Sequence, residues 1–468
     1  MRRPLSSLLL LAGLVAAIPQ AMAESDPHLR AAQFDQAMGR PFEALVNLLA
    51  DQRLSHIQRQ PAEAEQQLAE LYLHYGAHQR AAELLQASSG VQDQAWFLLA
   101  REQYRRGLDE EALASLGRIS VPLAEPLQQE RLLMAGALNL RTGQLAAAEE
   151  PLRQLANFRD GSPSWVDPGR FNLAVALYRL GREDEARAEL RSLGQLSGKD
   201  AESGALRDKA NLTLAYADLK AGRFGDAESY FKRARLDGPL SNTALLGLGR
   251  LYADQEQYKK ALVPWLELSK RDPSEQTVQD ALLAVPYAFG KLEAFKQALE
   301  YYRRAMDVFQ QEVGRLQQVQ AQVESGAAVT ALAEALAGEA VGQRSALTAL
   351  PEESGAVFLR ALYSTREFQE TLKHFTQLQF ALQRQAQWRT ELQANTKLTA
   401  QQREALLARC DALASDLKLM SDKLRSYLQT LALDELERRR KRLLGYADEA
   451  RFSIARIYDY AAKRWGGK

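Results

Sequence analysis

Apolar and polar positions alternate along most of this chain with a helical period, and the apolar faces are organised around one small residue. Alanine recurs at Ala44, Ala81, Ala112, Ala148, Ala186, Ala227, Ala261 and Ala298, at intervals of 31 to 41 residues. A glycine stands five positions before each of the first six: Gly39, Gly76, Gly107, Gly143, Gly181 and Gly222. Each period therefore predicts two short helices joined at a glycine, which suits the left-handed backbone just past a helix end. A unit of this size cannot bury its apolar face alone, so stability has to come from stacking on neighbouring units. Strand signals are absent, because β-branched alternation is rare and Ala, Leu, Glu, Gln and Arg dominate. The expectation is an all-α chain.

The pattern changes after Ala305. A helix is predicted to continue through Val308, Val313, Leu316, Val319 and Val323. The Ala- and Gly-rich stretch from Gly326 to Ser354 reads as a short helix plus a loose connector. Beyond it, Phe358, Leu362, Phe368, Leu372, Phe375, Leu382 and Trp388 form one apolar stripe. Leu406, Cys410, Leu413, Leu417, Met420, Leu424, Tyr427 and Leu431 form a second, at coiled-coil spacing. A turn is expected over Asn395 to Thr399, with Thr399 and Gln402 as a capping box. A long antiparallel helical hairpin is the simplest arrangement, and a parallel homodimeric coil is its rival. The tail from Gly445 to Tyr458 reads as the first helix of another repeat-type pair, with Ile454, Ile457 and Tyr458 on one face.

The seventh unit carries Leu245, Leu248-Gly249, Tyr252, Tyr258, Ala261, Trp265, Leu268 and Asp272-Pro273. The fifth carries Leu173-Ala174, Leu177, Gly181, Ala186 and Leu190, and the third Trp96, Leu99-Ala100, Gly107, Ala112 and Leu116. These residues resemble the tetratricopeptide repeat, and the resemblance covers roughly residues 30 to 306. The eighth unit departs from it with Pro286 where a small residue is expected. The first is weak, with Pro41 placed where a second helix can begin. The resemblance implies a right-handed α-solenoid of about eight helix pairs with a long concave groove. Small residues such as Ala174 and Ala186 would let antiparallel helices approach closely, and Trp96 and Trp265 would fill the wedge between units. Two segments, Asp160–Pro168 and Ser197–Gly204, are expected to lengthen the loops before the fifth and sixth units.

The N-terminus adds a compartment. Met1-Arg2-Arg3, the apolar run Leu8 to Ile18 and Ala21-Met22-Ala23 describe a cleavable secretory signal in preference to a membrane anchor. The expected organisation is a signal peptide at 1–23, a solenoid at 24–306, a helical extension and connector at 307–354, and a C-terminal hairpin at 355–468. An exported, periplasmic protein that is not integral to the membrane follows. Cys410 is the single cysteine, so no internal disulfide can form. It reads as a packing residue, with an interchain disulfide as the alternative. The formal net charge of +1 becomes −1 once Arg2 and Arg3 leave with the signal, which gives no global attraction to nucleic acid or membrane.

Catalytic chemistry finds little support. His28, His56, His74, His78 and His374 show no metal-ligand or triad spacing, and no glycine-rich phosphate loop is present. No metal, cofactor or catalytic residue is expected. Acids that an enzyme could use, Glu149-Glu150 and Asp109-Glu110-Glu111, stand where acids commonly begin helices. In tetratricopeptide proteins ligands usually meet the first helix of each pair. There the sequence places Tyr104, Arg105, Arg141, Tyr178, Arg179, Tyr216, Lys220, Tyr287 and Lys291. These residues read as a basic, aromatic-lined channel for an acidic or extended partner, or as cations that complement helix ends, the latter preferred. The carboxylate clamp of chaperone-binding members is not carried over. Its five positions fall on Leu133, Ala137, Asn172, Lys209 and Thr213, of which two match. The basic run Arg438 to Arg442 reads as a solvated helix surface paired with Asp434, Glu435 and Glu437, ahead of an anion-binding patch. The expected function is a periplasmic scaffold for a partner protein or peptide, with the C-terminal helices for self-association or a second partner. The alternative is a substrate-holding component of a cell-wall or polysaccharide enzyme or secretion complex.

Overall fold

A computed structural model describes residues 26–58, 60–87, 93–158, 162–198, 200–329, 331–332 and 356–465. The signal segment and most of the Gly326–Ser354 connector lie outside these residues. Every regular element among the described residues is a helix, and the chain divides into two compact units at Gly181–Arg182.

The first unit is a series of helix pairs: α1 (Pro27–Ala37) with α2 (Pro41–Arg53), α3 (Pro61–His74) with α4 (His78–Ala87), α5 (Asp93–Arg106) with α6 (Asp109–Leu116), and α7 (Leu127–Arg141) with α8 (Leu145–Ala156), ending in α9 (Pro163–Arg179). Pro41 opens α2, where its missing N–H is harmless. Gly136 on α7 makes the closest approach in this unit: a Cβ built there would lie 2.3 Å from Leu152 of α8.

The second unit begins with α10 (Glu183–Leu193). It continues as α11 (Ala201–Lys220) with α12 (Phe224–Arg233), α13 (Ser241–Asp254) with α14 (Tyr258–Leu268), and α15 (Gln276–Lys291) with α16 (Phe295–Glu324). Three further helices follow: α17 (Ala356–Tyr363), α18 (Arg366–Ala394) and α19 (Ala400–Trp465). Gly249 on α13 sits against Trp265, whose indole N–H donates to the Leu246 carbonyl at 3.2 Å.

All eight periodic alanines have 0% exposure, and the six glycines before them have φ between +73° and +80°. In five of those turns, at Gly39, Gly76, Gly107, Gly143 and Gly222, the N–H following the glycine donates to a carbonyl five residues earlier, at 2.8–3.0 Å. The seventh and eighth units keep the same turn without glycine, since Glu256 and Glu293 have φ +56° and +57°. A left-handed non-glycine residue costs about 1–2 kcal/mol, partly offset by its smaller loss of chain entropy on folding. Glu256→Gly is therefore expected to stabilise the chain by roughly 0.5–1 kcal/mol. Gly222→Ala, where a Cβ meets nothing within 4 Å, is expected to cost about 1 kcal/mol through φ alone. Urea midpoints of the two variants check both signs.

Both predicted loop insertions are shorter than their sequence suggests. Pro163 starts α9, so Ser164 to Pro168 are helical. Asp200 caps α11 by accepting from Ser203 N at 2.8 Å, which draws Ala201 to Gly204 into that helix.

The C-terminal part forms the expected antiparallel hairpin. Thr399 and Gln402 cap α19 reciprocally, at 3.0 and 3.2 Å. Gln379 bonds Ser421, Gln385 donates to the Cys410 carbonyl at 2.9 Å, and Tyr427 donates to Glu367. The seam differs from the predicted stripe. Leu413, Met420 and Tyr427 are exposed, while Ser421 and Leu428 are buried and Cys410 is half-buried. The seven-residue repeat is kept: Cys410, Leu417, Leu424 and Leu431 stay half-buried, while the second edge moves one residue on, from Leu413, Met420 and Tyr427 to Ala414, Ser421 and Leu428.

The tail corrects a second expectation. Gly445 to Tyr458 does not start a new helix pair; it continues α19, which runs unbroken for 66 residues. This distal half packs antiparallel on α16. Gln429 donates to the Val323 carbonyl at 2.9 Å, Phe309 lies 5.6 Å from the Tyr446 ring, and Arg303 donates to Tyr458 at 2.9 Å. Leu428, Ala432, Leu436, Leu443 and Ala450 are buried with Phe309, Leu316, Val319 and Val323 in one core. α19 thus covers the apolar face that the last repeat would otherwise expose, as a terminal cap must.

Candidate binding face

The five cations singled out from the sequence fall in the last turns of first helices: Arg105 on α5, Arg141 on α7, Arg179 on α9, Lys220 on α11 and Lys291 on α15. The helix dipole favours positive charge at that end. All five are exposed, as are Tyr178, Tyr216 and Tyr287, while Tyr104 is half-buried.

Within the first unit, Arg141 reaches back to the preceding pair. It donates to Asp109 at 2.7 Å and lies 4.5 Å from the centre of the Tyr104 ring. Arg179 donates to the Leu140 carbonyl at 3.0 Å, satisfying the C-terminal end of α7. Arg105 makes no ion pair among the described residues. In the second unit, Lys291 lies 5.5 Å from the Tyr287 ring centre. Tyr216 donates to the Thr243 carbonyl at 3.2 Å and packs edge-on to Phe231. Burial raises the Tyr216 phenol above its ordinary value, with Arg250 opposing, so the ring stays a neutral donor. Lys220 makes no ion pair among the described residues. These cations are therefore of two kinds. Arg141 and Arg179 hold consecutive repeats together, whereas Arg105 and Lys220 present their charge outward.

The rest of the candidate chemistry resolves into packing. Glu149 pairs with Arg153 at 2.6 Å, Glu150 accepts from Gln154 at 2.8 Å, and Asp109 is held by Arg141. The basic run is tied down as well. Arg438 and Arg439 pair with Glu435, Arg440 and Lys441 with Glu437, and Arg439 and Arg442 also reach Ser274 and Gln276 before and within α15. His74 and His78 are not free loop residues. His74 ends α3 against the Tyr75 ring, and His78 opens α4 within 3.0 Å of Arg106.

Two groupings were not legible in the sequence. Arg187 and Asp218 form a buried bidentate pair at 2.8 and 3.0 Å, joined by Arg223 at 2.7 Å. The other is His28, Asp51 and His56, whose ligand atoms lie within 4.8 Å of one another. Neither grouping has a local motif, because each draws on separate helices or loops.

No described helix is long and apolar enough to cross a membrane. A tetratricopeptide repeat family model matches residues 212–275. No curated protein matches the sequence. Several solved structures are similar. A tetratricopeptide repeat protein from Parabacteroides merdae is 14% identical, with 55% of this chain and 96% of that one covered and a TM-score of 0.34. RapI in its apo form is 12% identical, covering 86% and 98%, with a TM-score of 0.37. MamA is 15% identical, covering 39% and 93%, with a TM-score of 0.31. An all-α solenoid of this type supports protein–protein interaction in general and is typical of non-enzymatic scaffolds. With its buried alanine register and left-handed turns, the chain is a helical protein containing tetratricopeptide repeats.

Proposed function

We propose that the chain is an exported, periplasmic adaptor that holds an acidic or extended segment of a partner protein against the ends of its first helices. The observation that carries this reading is outward charge within each unit: Arg105 on α5 in the first, and Lys220 on α11 in the second, four residues after the exposed Tyr216 on the same helix. Aromatic rings supply contact area at small entropic cost, and the cation supplies steering and register. Export rests on the pattern of residues 1–23. The hairpin offers a second surface, where Phe380, Leu413, Leu419 and Met420 are exposed, for self-association or a second component. A substrate-holding role in a cell-wall or polysaccharide enzyme or secretion complex would use the same faces. It gains no support from Glu149, Glu150 or Asp109, which are engaged within the fold.

Affinity capture from envelope extract tests the adaptor reading. Arg105→Glu and Lys220→Glu leave every described ion pair intact. They are expected to lower recovery of the captured partner by at least about tenfold, the scale of a lost charge-assisted contact of 1.5–3 kcal/mol. Recovery of the same proteins in the same amounts would contradict the assignment of this face.

A further inference from the structure

We propose that His28, Asp51 and His56 form a binding site for a transition-metal dication of the zinc class. Two imidazoles converge on one carboxylate. His28 Nδ1 lies 3.0 Å from one Asp51 oxygen and His56 Nδ1 3.0 Å from the other. The two rings are 5.1 Å apart between centres and tilted by 32°. Two nitrogens and one oxygen form a donor set that suits zinc, copper or nickel better than calcium or magnesium, which take oxygen ligands.

The spacing also fits. Zinc bonds of about 2.0–2.1 Å place two donors roughly 3.3 Å apart at the tetrahedral angle. Both imidazole–carboxylate separations are already near that value. All three ligand atoms fall within 4.8 Å, so closure needs only side-chain rotation. Asp51 is mostly buried while both histidines are half exposed, which leaves an approach from solvent and a coordination position for water.

The backbone around the three residues is fixed from separate directions. Asp26, which is 2% exposed, caps α1 by accepting from His28 N at 2.9 Å. Its other carboxylate oxygen accepts from Gln58 N at 3.1 Å, and its own N–H donates to Gln60 Oε1 at 3.2 Å. One buried aspartate thus ties the loop after α2 to the start of α1. His56 N donates to the Asp51 carbonyl at 2.9 Å, across a left-handed Ser55 with φ +57°. A left-handed serine is an uncommon conformation, and here it turns His56 back over the end of α2. A bound dication would join the first two helices and the following loop at one point.

Calorimetric titration of the untagged chain with zinc chloride tests the site. One equivalent is expected to bind. His56→Gln, a change at an exposed loop position, is expected to weaken binding at least tenfold, as are His28→Gln and Asp51→Asn. His74→Gln, in the same unit but outside the cluster, should bind as the parent does. Circular dichroism confirms that each variant is folded. Cobalt(II) added in place of zinc should give visible absorption bands in the parent that are lost in His56→Gln. Absence of a stoichiometric zinc equivalent in the parent would overturn the proposal. So would binding that survives in folded His56→Gln and Asp51→Asn.

Discussion

Asp218→Ala is expected to destabilise the second unit by about 3–5 kcal/mol, because it strands the Arg187 guanidinium without its bidentate partner. The Asp218 side chain has 0% exposure and that of Arg187 9%, so water cannot replace the lost bonds. An exposed pair gives the contrast. Arg182–Glu185 is also short, at 2.6 Å, yet Glu185→Ala should cost no more than about 1 kcal/mol. Thermal unfolding followed by circular dichroism separates the two, with a midpoint shift on the order of 10 °C for Asp218→Ala. A shift no larger than that of Glu185→Ala would contradict the pairing. The same carboxylate sets an acid limit. Burial alone works against its charge, but hydrogen bonds from Arg187 and Arg223 outweigh burial and hold Asp218 below the usual carboxylate range. Its contribution is present above the unfolded value of about 3.9 and is lost as pH falls through the depressed folded value. The parent chain should therefore lose stability below about pH 4 more steeply than Asp218→Asn does.

Phe309→Ala is expected to cost about 3–5 kcal/mol, the range for removing a fully buried aromatic ring. Phe309 has 0% exposure, although it lies on α16 beyond the last periodic alanine. It is buried because the distal half of α19 returns over it, with Tyr446 against its ring. That tyrosine is held in turn by a hydrogen bond to Asp280 on α15; burial first, and then this bond, raise its phenol well above the ordinary range. Loss of the ring should unfasten α16 and residues 428–460 together. Native-state hydrogen exchange should show faster exchange in both helices and little change in α13. A cost below about 1 kcal/mol, as for a surface ring, would mean that α19 does not cap the last repeat.

The repeats were legible because their signal is local. A buried alanine and a left-handed glycine recur within one short window, and physical necessity fixes both residue types. The turns at Glu256 and Glu293 escaped that reasoning, since the stacked helices impose their backbone conformation without a glycine to mark it. The hairpin seam was misread for a related reason. Its contact line runs through Ser421, bonded to Gln379, and leaves Met420 outside, so a search for large apolar residues selects the wrong edge. The cap by α19 was hidden because Gly445 suggested a helix start where the chain continues helical. The cations of the candidate face were all visible. Which of them are used internally was not, because Arg141 and Arg179 find their partners 32 and 39 residues away. The same distance problem concealed His28 and His56, which share a carboxylate supplied by a third element.

The claim that the first-helix ends carry the partner is tested most directly by photo-crosslinking in cells. A benzophenone amino acid is placed singly at Tyr178, Tyr216 or Tyr287, and as controls at Val263 or Phe452, which are exposed elsewhere. A discrete higher-mass adduct from the tyrosine positions, absent from the control positions and lost when Arg105→Glu and Lys220→Glu are combined with it, is the predicted result. Adducts from Val263 or Phe452 alone, with none from the tyrosines, would contradict the account.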